Sequence, residues 1–327
     1  MISIVLLNWN GKPFLADCLH SIRAQTYTDY DLLIIDDQST DGSVAFLQHE
    51  FPEYRLIRNA EKLGYCGGAN VGIRQTGGEY VLLMNPDVIL KPNFIEDLLK
   101  YIIPQPRVGI ATGKLLRFDG RTLDTTGQFL RRNLTPQERG YGEPDTGQYE
   151  QPGPVFSSCG AVVLYRRAML DDIQIDGAVF DEAYFAFYED LDIGWRAHVQ
   201  GWQAYYVPTA VAYHYRGGGL TASSTQTTWI EHLPFMPKVS VFRKPPAIQR
   251  HIIKNRYLTL IKNASLKDIW HGLPAILKLE VMLWGYVVCV RPSLLSVLFH
   301  LCKLLPAALN KRKIIQAKRM VFERMNW

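Results

Sequence analysis

The chain has 327 residues, 47% apolar and 12% aromatic, with 36 basic and 31 acidic side chains and a net charge of +5. That apolar share excludes a disordered chain and is enough for one large core or two modest ones. The five cysteines are odd in number, scattered and without a CxxC pair, which argues against a disulfide framework or zinc site and for a reducing cytosol.

Taken in order, ISIVLL from Ile2 reads as a first strand, not a signal peptide. Residues 13–25 then place Leu15, Cys18, Leu19 and Ile22 on one helical face. A second strand, LLII, runs into DDQSTDGS and a helix beginning with Val44, Phe46 and Leu47. A third short strand leads to LGYCGGANVGI, where Gly64, Gly67 and Gly68 precede a helix carrying Val71 and Ile73. The fourth strand, VLLM, ends in Asn85, Pro86 and Asp87, and a helix follows with Phe94, Leu98, Leu99 and Ile102 at helical spacing. Proline has no N–H for a strand ladder, so Asp87 falls at the end of the strand. Four alternations of strand and helix within about a hundred residues predict an α/β doubly wound parallel sheet with right-handed crossovers.

Residues 113–155 are polar and rich in Gly, Pro and Thr, with Arg131, Arg132 and Arg139, and read as a long loop, functional or partly disordered. Regular signals return at 156–165. Residues 188–200, YEDLDIGWRAHVQ, read as a helix, 203–207 and 211–214 as strands, and RGGG from Arg216 ends the ordered body. Beyond it the charge changes sign. Of the chain's 36 basic and 31 acidic residues, 16 and 3 lie in residues 243–327, leaving 20 and 28 in the body. The tail carries a helical pattern over 248–262 and a narrow polar stripe of Ser293, Ser296, His300 and Lys303 on an otherwise apolar helix. Its most apolar run, 281–290, is short of the roughly 20 residues a spanning helix requires. These features predict helices lying in a membrane interface, with a buried helical subdomain as the alternative. The apolar content argues against nucleic acid as partner.

Parallel strands place their C-terminal ends side by side, where open α/β sheets bind ligands. Four clusters fall there: Asn8, Trp9 and Asn10; Asp36, Asp37, Ser39 and Asp41; Gly67, Gly68 and Asn70; and Asn85 with Asp87. Later in the chain, Glu189, Asp190 and Asp192 occupy one helical turn, and His214 ends a strand. Beside Asp87, His214 completes an oxygen and nitrogen donor pair suited to a divalent cation such as Mn2+ or Mg2+.

The ordered set ISIVLLNWNG, LLIIDDQSTDGS, LGYCGGANVGI, VLLMNPDV, FDEAYFAFYEDLDIGWR and YHYRGG resembles glycosyltransferase family 2, in particular its rhamnosyltransferase and O-antigen or cell-wall branch. The resemblance implies a GT-A fold over residues 1–242, with a nucleotide-binding half of about 1–112 and an acceptor half of about 113–242, followed by a membrane-associating helical tail at 243–327. It implies that Asp36 contacts the nucleotide base and that Asn8, Asn10, Ser39, Asp41, Gly67, Gly68, Asn70 and Asn85 belong to the nucleotide site. It also implies that Asp87 and His214 hold the metal, and that Asp190, with Glu189 beside it, supplies the general base. A nucleotide-sugar donor, L-rhamnose from dTDP-rhamnose or a UDP-hexose or UDP-HexNAc, and a polyprenyl-diphosphate-linked or glycan acceptor on the inner membrane face are the implied partners.

Displacing a nucleoside diphosphate from a sugar carbon needs stabilisation of negative charge on the leaving group and a base for the attacking hydroxyl. The carboxylates and histidine meet both needs. A sugar nucleotidyltransferase is the competing class, but LLNWNGKP lacks the glycine- and arginine-rich loop expected after its first strand. A non-catalytic nucleotide-binding protein on the same fold is the other.

Overall fold

The computed structural model describes residues 1–216, 242 and 244–320. The glycines after Arg216, expected to close the ordered body, lie outside the described residues. The N-terminal half runs β1 (Ile2–Asn8), α1 (Lys12–Arg23), β2 (Tyr30–Asp36), α2 (Ser43–Glu50), β3 (Arg55–Arg58), α3 (Gly64–Arg74), β4 (Tyr80–Met84), β5 (Val88–Leu90) and α4 (Phe94–Ile102). There follow β6 (Val108–Arg117), β7 (Leu123–Thr125), β8 (Gln128–Leu130), β9 (Pro136–Glu138), β10 (Gly153–Val155), β11 (Val162–Arg166), α5 (Arg167–Ile173), α6 (Glu189–Val199) and β12 (Gln203–His214). Three long helices end the chain: α7 (Pro246–Asn263), α8 (Leu266–Cys289) and α9 (Ser296–Ala317).

The main sheet has the order β10-β12-β6-β11-β4-β1-β2-β3. β4, β1, β2 and β3 are parallel neighbours, and so are β6 and β12. The wholly parallel expectation holds for these but not for β11, which runs antiparallel between β4 and β6. Both sheet faces are covered. Leu6, Ile34, Leu82 and Leu164 pack toward α1 and α4, while Val5, Leu33, Leu83 and Val163 pack toward α3 and α5. Burial on both sides explains why these strands read as continuous apolar runs.

Two sequence readings need correction. Residues 113–155 are not one long loop: β6 enters the middle of the sheet, and β7 to β10 form short antiparallel pairs beyond it. Gly109, Thr112, Gly113 and Lys114 dilute the apolar pattern of β6, although all but its last residue are buried. Gly113 has a packing reason, since a Cβ there would fall 2.1 Å from the Ala210 carbonyl oxygen on β12. The strands expected at 203–207 and 211–214 are one strand, β12, whose register shifts between Val207 and Val211.

The tail also departs from the expected row of interfacial helices. α7 is buried rather than surface-lying: Gln249, Asn255, Arg256, Thr259, Lys262 and Asn263 are all at most 3% exposed. Its Lys262 ammonium lies 2.7 Å from Asp181 and 3.0 Å from Asp192, and Arg196 pairs with the same Asp192 at 2.9 Å. α8 and the segment Pro292–Ala317 are 24 and 26 residues long, each with an 18-residue stretch of mean hydropathy 1.5, and so are long and apolar enough to cross a membrane, unlike the short run the sequence suggests. On α8, Leu266, Trp270, Leu277, Val281 and Val288 are all more than half exposed. At about 100° per residue these five fall within a narrow arc, forming one apolar stripe.

Candidate active site

A cleft of about 1000 Å3 opens along the C-terminal ends of β1, β2 and β4 and is closed on its far side by α6, α7 and α8. At one end stand Trp9, Asp37, Lys62 and Gly64. The Lys62 ammonium sits 3.3 Å from the centre of the Trp9 ring, and burial lowers its pKa. Asp37 accepts the backbone N–H groups of Leu63 (2.8 Å) and Gly64 (2.9 Å) and the Asn59 amide (2.9 Å). Gly64 has φ +68°, and a Cβ would meet Phe185 at 2.5 Å, so this turn requires glycine.

Asp36, the expected base-contacting residue, stands behind this wall. It is fully buried, its carboxylate accepting from the Asn8 amide (2.8 Å) and the Ser39 N–H (3.0 Å). Ser39 Oγ accepts from Asn10 N, Asn10 Oδ1 accepts from Thr40 N, and Asp41 accepts from the N–H groups of Lys12 and Ser43. Asn10, Asp36, Ser39 and Asp41 thus brace two strand-end loops against each other. Asn70 is spent likewise, exchanging hydrogen bonds with the Phe180 backbone (2.8 and 2.9 Å), and Gly67 lies under Leu63 inside α3. Of the nucleotide-site candidates, Asn8, Gly68 and Asn85 reach the cleft. The reason is the strand pleat: successive residues point to opposite sides, so Asp36 turns into the loops and its neighbour Asp37 toward the cavity.

In the middle of the cleft, β5 pairs antiparallel with the end of β12, setting Val88 opposite His214. That register brings two residues far apart in sequence together. His214 Nε2 lies 3.5 Å from Asp87 Oδ2, while its Nδ1 lies 2.8 Å from Asp124 Oδ2. Burial pulls the His214 pKa down, but hydrogen bonds and charge from Asp124 and Asp87 outweigh it and carry it up to about 9. Arg216 also bonds Asp124, and Lys244 joins it at the cleft wall. Among the described residues no group of three His, Cys, Asp or Glu side chains converges as a metal cage. An oxygen and a nitrogen donor, with the histidine braced from behind by a carboxylate, are donor types that would suit a divalent cation.

Across the cleft, α6 starts with Glu189 and Asp190. Phe185, Phe187 and Tyr188 just before it all have positive φ (65°, 72° and 71°), a conformation bulky residues resist. Asn255 of α7 holds this turn by donating to the carbonyls of Tyr184, Ala186 and Phe187 at 3.0, 2.8 and 2.7 Å. Asp190 accepts from Gln128 (3.1 Å) and from the Leu191 N–H (2.7 Å). Burial raises its pKa against the pull of those donors. Burial and then the charge of Asp190 push Glu189 up to about 8, and its Oε2 lacks a hydrogen-bond partner. Gln128 also bonds Glu138 (2.9 Å), whose pKa is raised by burial and by Asp190.

The sequence reading places Asp37 in a strand-end cluster but assigns the nucleotide contact to Asp36, and it misses Asp124, Gln128, Glu138, Asn255 and Arg256. Asp37 is visible in the sequence as the second of two aspartates. Asp124, Gln128 and Glu138 lie in the stretch that reads as loop, and the α7 residues in the stretch that reads as membrane helix.

The sequence model of "Glycosyl transferase family 2" matches residues 3–174, more than half of the chain. This chain belongs to glycosyltransferase family 2. An "N-acetylglucosaminyl-diphospho-decaprenol L-rhamnosyltransferase" of Mycobacterium tuberculosis is 30% identical to this family 2 enzyme over 243 residues, covering 66% of the chain and 76% of the relative. Among solved structures, S. aureus TarS 1-349 in complex with UDP-GlcNAc superposes with TM-score 0.58 at 17% identity, covering 98% of this chain and 84% of that one. The mannosyltransferase PcManGT from Pyrobaculum calidifontis, in complex with GDP-Man and Mn2+, gives 0.51 at 14% identity, covering 97% and 85%. These two share the fold. The transferase is thus rhamnosyltransferase-like in sequence, with a GT-A-like sheet and two apolar C-terminal helices consistent with membrane association.

Proposed function

We propose that the protein is an inverting, divalent-cation-dependent transferase that moves L-rhamnose from dTDP-rhamnose to a polyprenyl-diphosphate-linked or glycan acceptor in cell-envelope synthesis, working on the cytoplasmic face of the membrane. The observation that carries this reading is the placement of Asp190, half-buried and oriented by Gln128, in the same cleft as the Asp87 and His214 pair. The choice of rhamnose and of a lipid diphosphate follows the mycobacterial relative's name.

In this reading, Trp9, Asp37 and Lys62 hold the base and ribose end of the donor. Asp87 and His214 would hold the cation, which would displace the proton His214 otherwise carries on Nε2, with Asp124 fixing the ring of His214 through Nδ1. A bound divalent cation supplies Lewis-acid stabilisation of the departing diphosphate. Arg216 and Lys244 add positive charge at the same place. Asp190 accepts the proton of the acceptor hydroxyl as it attacks the sugar carbon from the face opposite the diphosphate, so configuration inverts. Burial and the charge of Asp190 favour the protonated form of Glu189, so that the two adjacent carboxyls need not both carry charge. Residues 1–242 and the tail at 243–327 act as one catalytic unit, because α7 forms part of the cleft.

The test is a panel of nucleotide sugars incubated with the full chain, acceptor lipid and Mn2+ or Mg2+, with and without chelator, scored by nucleoside diphosphate release. Turnover of dTDP-rhamnose that chelator abolishes is the expected result. Turnover only with a UDP-sugar replaces the donor, and no turnover with any donor overturns the transferase assignment of this cleft.

A further inference from the structure

Arg256 of α7 is 3% exposed and lines the cleft. One of its guanidinium nitrogens, Nη1, bonds Glu280 of α8 at 2.6 Å. The other two, Nε and Nη2, are buried without a hydrogen-bond partner. A buried cation with two donors unmet is costly unless an anion meets them, and a guanidinium fork matches phosphate oxygens in pairs. Its surroundings differ from those of Arg216 and Lys244, which stand with His214 and Asp87. Beside Arg256 the cleft is walled by Ile252, Leu279 and Leu283. α8 is two-faced at this point: Leu283 and Tyr286 are buried toward α7, while Leu277, Val281 and Val288 form the exposed apolar stripe. One helix therefore connects the surface suited to lipid with the receptor inside.

We propose that Arg256 is the phosphate receptor of an acceptor subsite separate from the donor's diphosphate, and that Ile252, Leu279 and Leu283 take the first isoprene units attached to that phosphate. This rests on the transferase reading of the same cleft. The Glu280 carboxylate holds the guanidinium in place and neutralises part of its charge when the subsite is empty.

The test measures binding of farnesyl diphosphate and of inorganic pyrophosphate to the full chain in detergent, already saturated with dTDP. Farnesyl diphosphate is expected to bind alongside dTDP and at least about tenfold more tightly than pyrophosphate, through the apolar wall. Arg256→Gln is expected to weaken farnesyl diphosphate by about 10- to 100-fold with dTDP affinity unchanged. Arg256→Lys, which keeps the charge and can still pair with Glu280, should recover part of that loss, and matched melting curves check that both variants fold. Leu279→Asn should weaken farnesyl diphosphate and leave pyrophosphate unchanged. The proposal is overturned if Arg256→Gln weakens dTDP as much as farnesyl diphosphate, if it changes neither, or if pyrophosphate binds as tightly as the isoprenyl compound. None of these readouts needs turnover. A chain that binds both ligands as stated and transfers no sugar overturns the transferase reading and leaves the phosphate subsite standing.

Discussion

Gln128 donates to Asp190 Oδ2 at 3.1 Å and, from the same amide nitrogen, to Glu138 at 2.9 Å. The bridge fixes the Asp190 carboxylate on one side while the Leu191 N–H fixes it on the other. A carboxylate held in this way faces its substrate without searching rotamers, the preorganisation a general base needs. Asp190→Asn is therefore expected to cut kcat by about 10²- to 10⁴-fold while leaving donor affinity within about twofold. Gln128→Leu should lower kcat less, by about tenfold, because the backbone contact remains. Steady-state rates with calorimetric donor binding check both; equal loss of rate and donor binding in Asp190→Asn contradicts the base assignment.

Glu189 gives a pH dependence with a definite sign. Its pKa is about 8 in the folded chain against an ordinary 4.5, so the folded state holds a proton that the unfolded state has released between those values. Stability from this group is complete below about pH 4.5 and is lost as pH rises toward 8. Glu189→Gln cannot lose a proton. Its melting temperature should match the parent near pH 5 and exceed it at pH 8 to 9, by an amount reflecting on the order of a few kcal/mol. Thermal denaturation across that range is the measurement, and parallel curves for parent and variant refute it.

Asn255 should reveal itself in kcat rather than in donor affinity. Its amide satisfies three carbonyls of a turn in which three aromatic residues hold positive φ directly before Glu189. Such strain, of order 1–3 kcal/mol per residue, persists only where surrounding contacts outweigh it. Asn255→Leu removes those contacts, and kcat is expected to fall at least about tenfold through misplacement of Asp190. Titration with dTDP, which in the proposed reading uses the Trp9 end and the middle of the cleft and not the α6 turn, should be unchanged; a loss confined to dTDP affinity contradicts the positioning role.

The parallel half of the sheet is legible in the sequence because its strands are buried on both faces and carry apolar runs ended by turn residues. Asp87, Glu189, Asp190 and His214 are legible as polar groups at element ends. That Asp87 and His214 meet is not, since their contact depends on the antiparallel pairing of β5 with β12. Asp36 and Asp37 show another limit: adjacent aspartates read alike, and only the pleat at the end of β2 decides which faces the cleft. α7 misleads for a different reason. Basic residues alternating with apolar ones suggest a lipid surface, but Lys262 is matched by Asp181 and Asp192, far away in sequence.

That matching changes how membrane association has to be tested. Removing residues 243–327 would also remove Asn255, Lys262 and Lys311, leaving Asp192 with Arg196 alone and Asp181 without either of its lysines, and losing the partner of a buried charge costs about 3–5 kcal/mol. A truncated chain that failed to bind membranes would then report unfolding. The exposed stripe on α8 offers a cleaner change, because Trp270 (74% exposed) and Val281 (75%), like Phe299 (73%) on α9, do little for the core. Each large apolar side chain buried in lipid contributes roughly 1.5–3 kcal/mol. The triple variant Trp270→Glu, Val281→Glu, Phe299→Glu is therefore expected to lower partitioning onto anionic phospholipid vesicles by at least about 100-fold. Its melting temperature and its dTDP affinity should stay close to the parent's. Cosedimentation with vesicles at low and high salt is the measurement. The salt-sensitive part belongs to the basic residues, such as Lys313 and Lys318, and the remainder to the stripe. A triple variant that still sediments with vesicles in high salt excludes the stripe as the membrane contact.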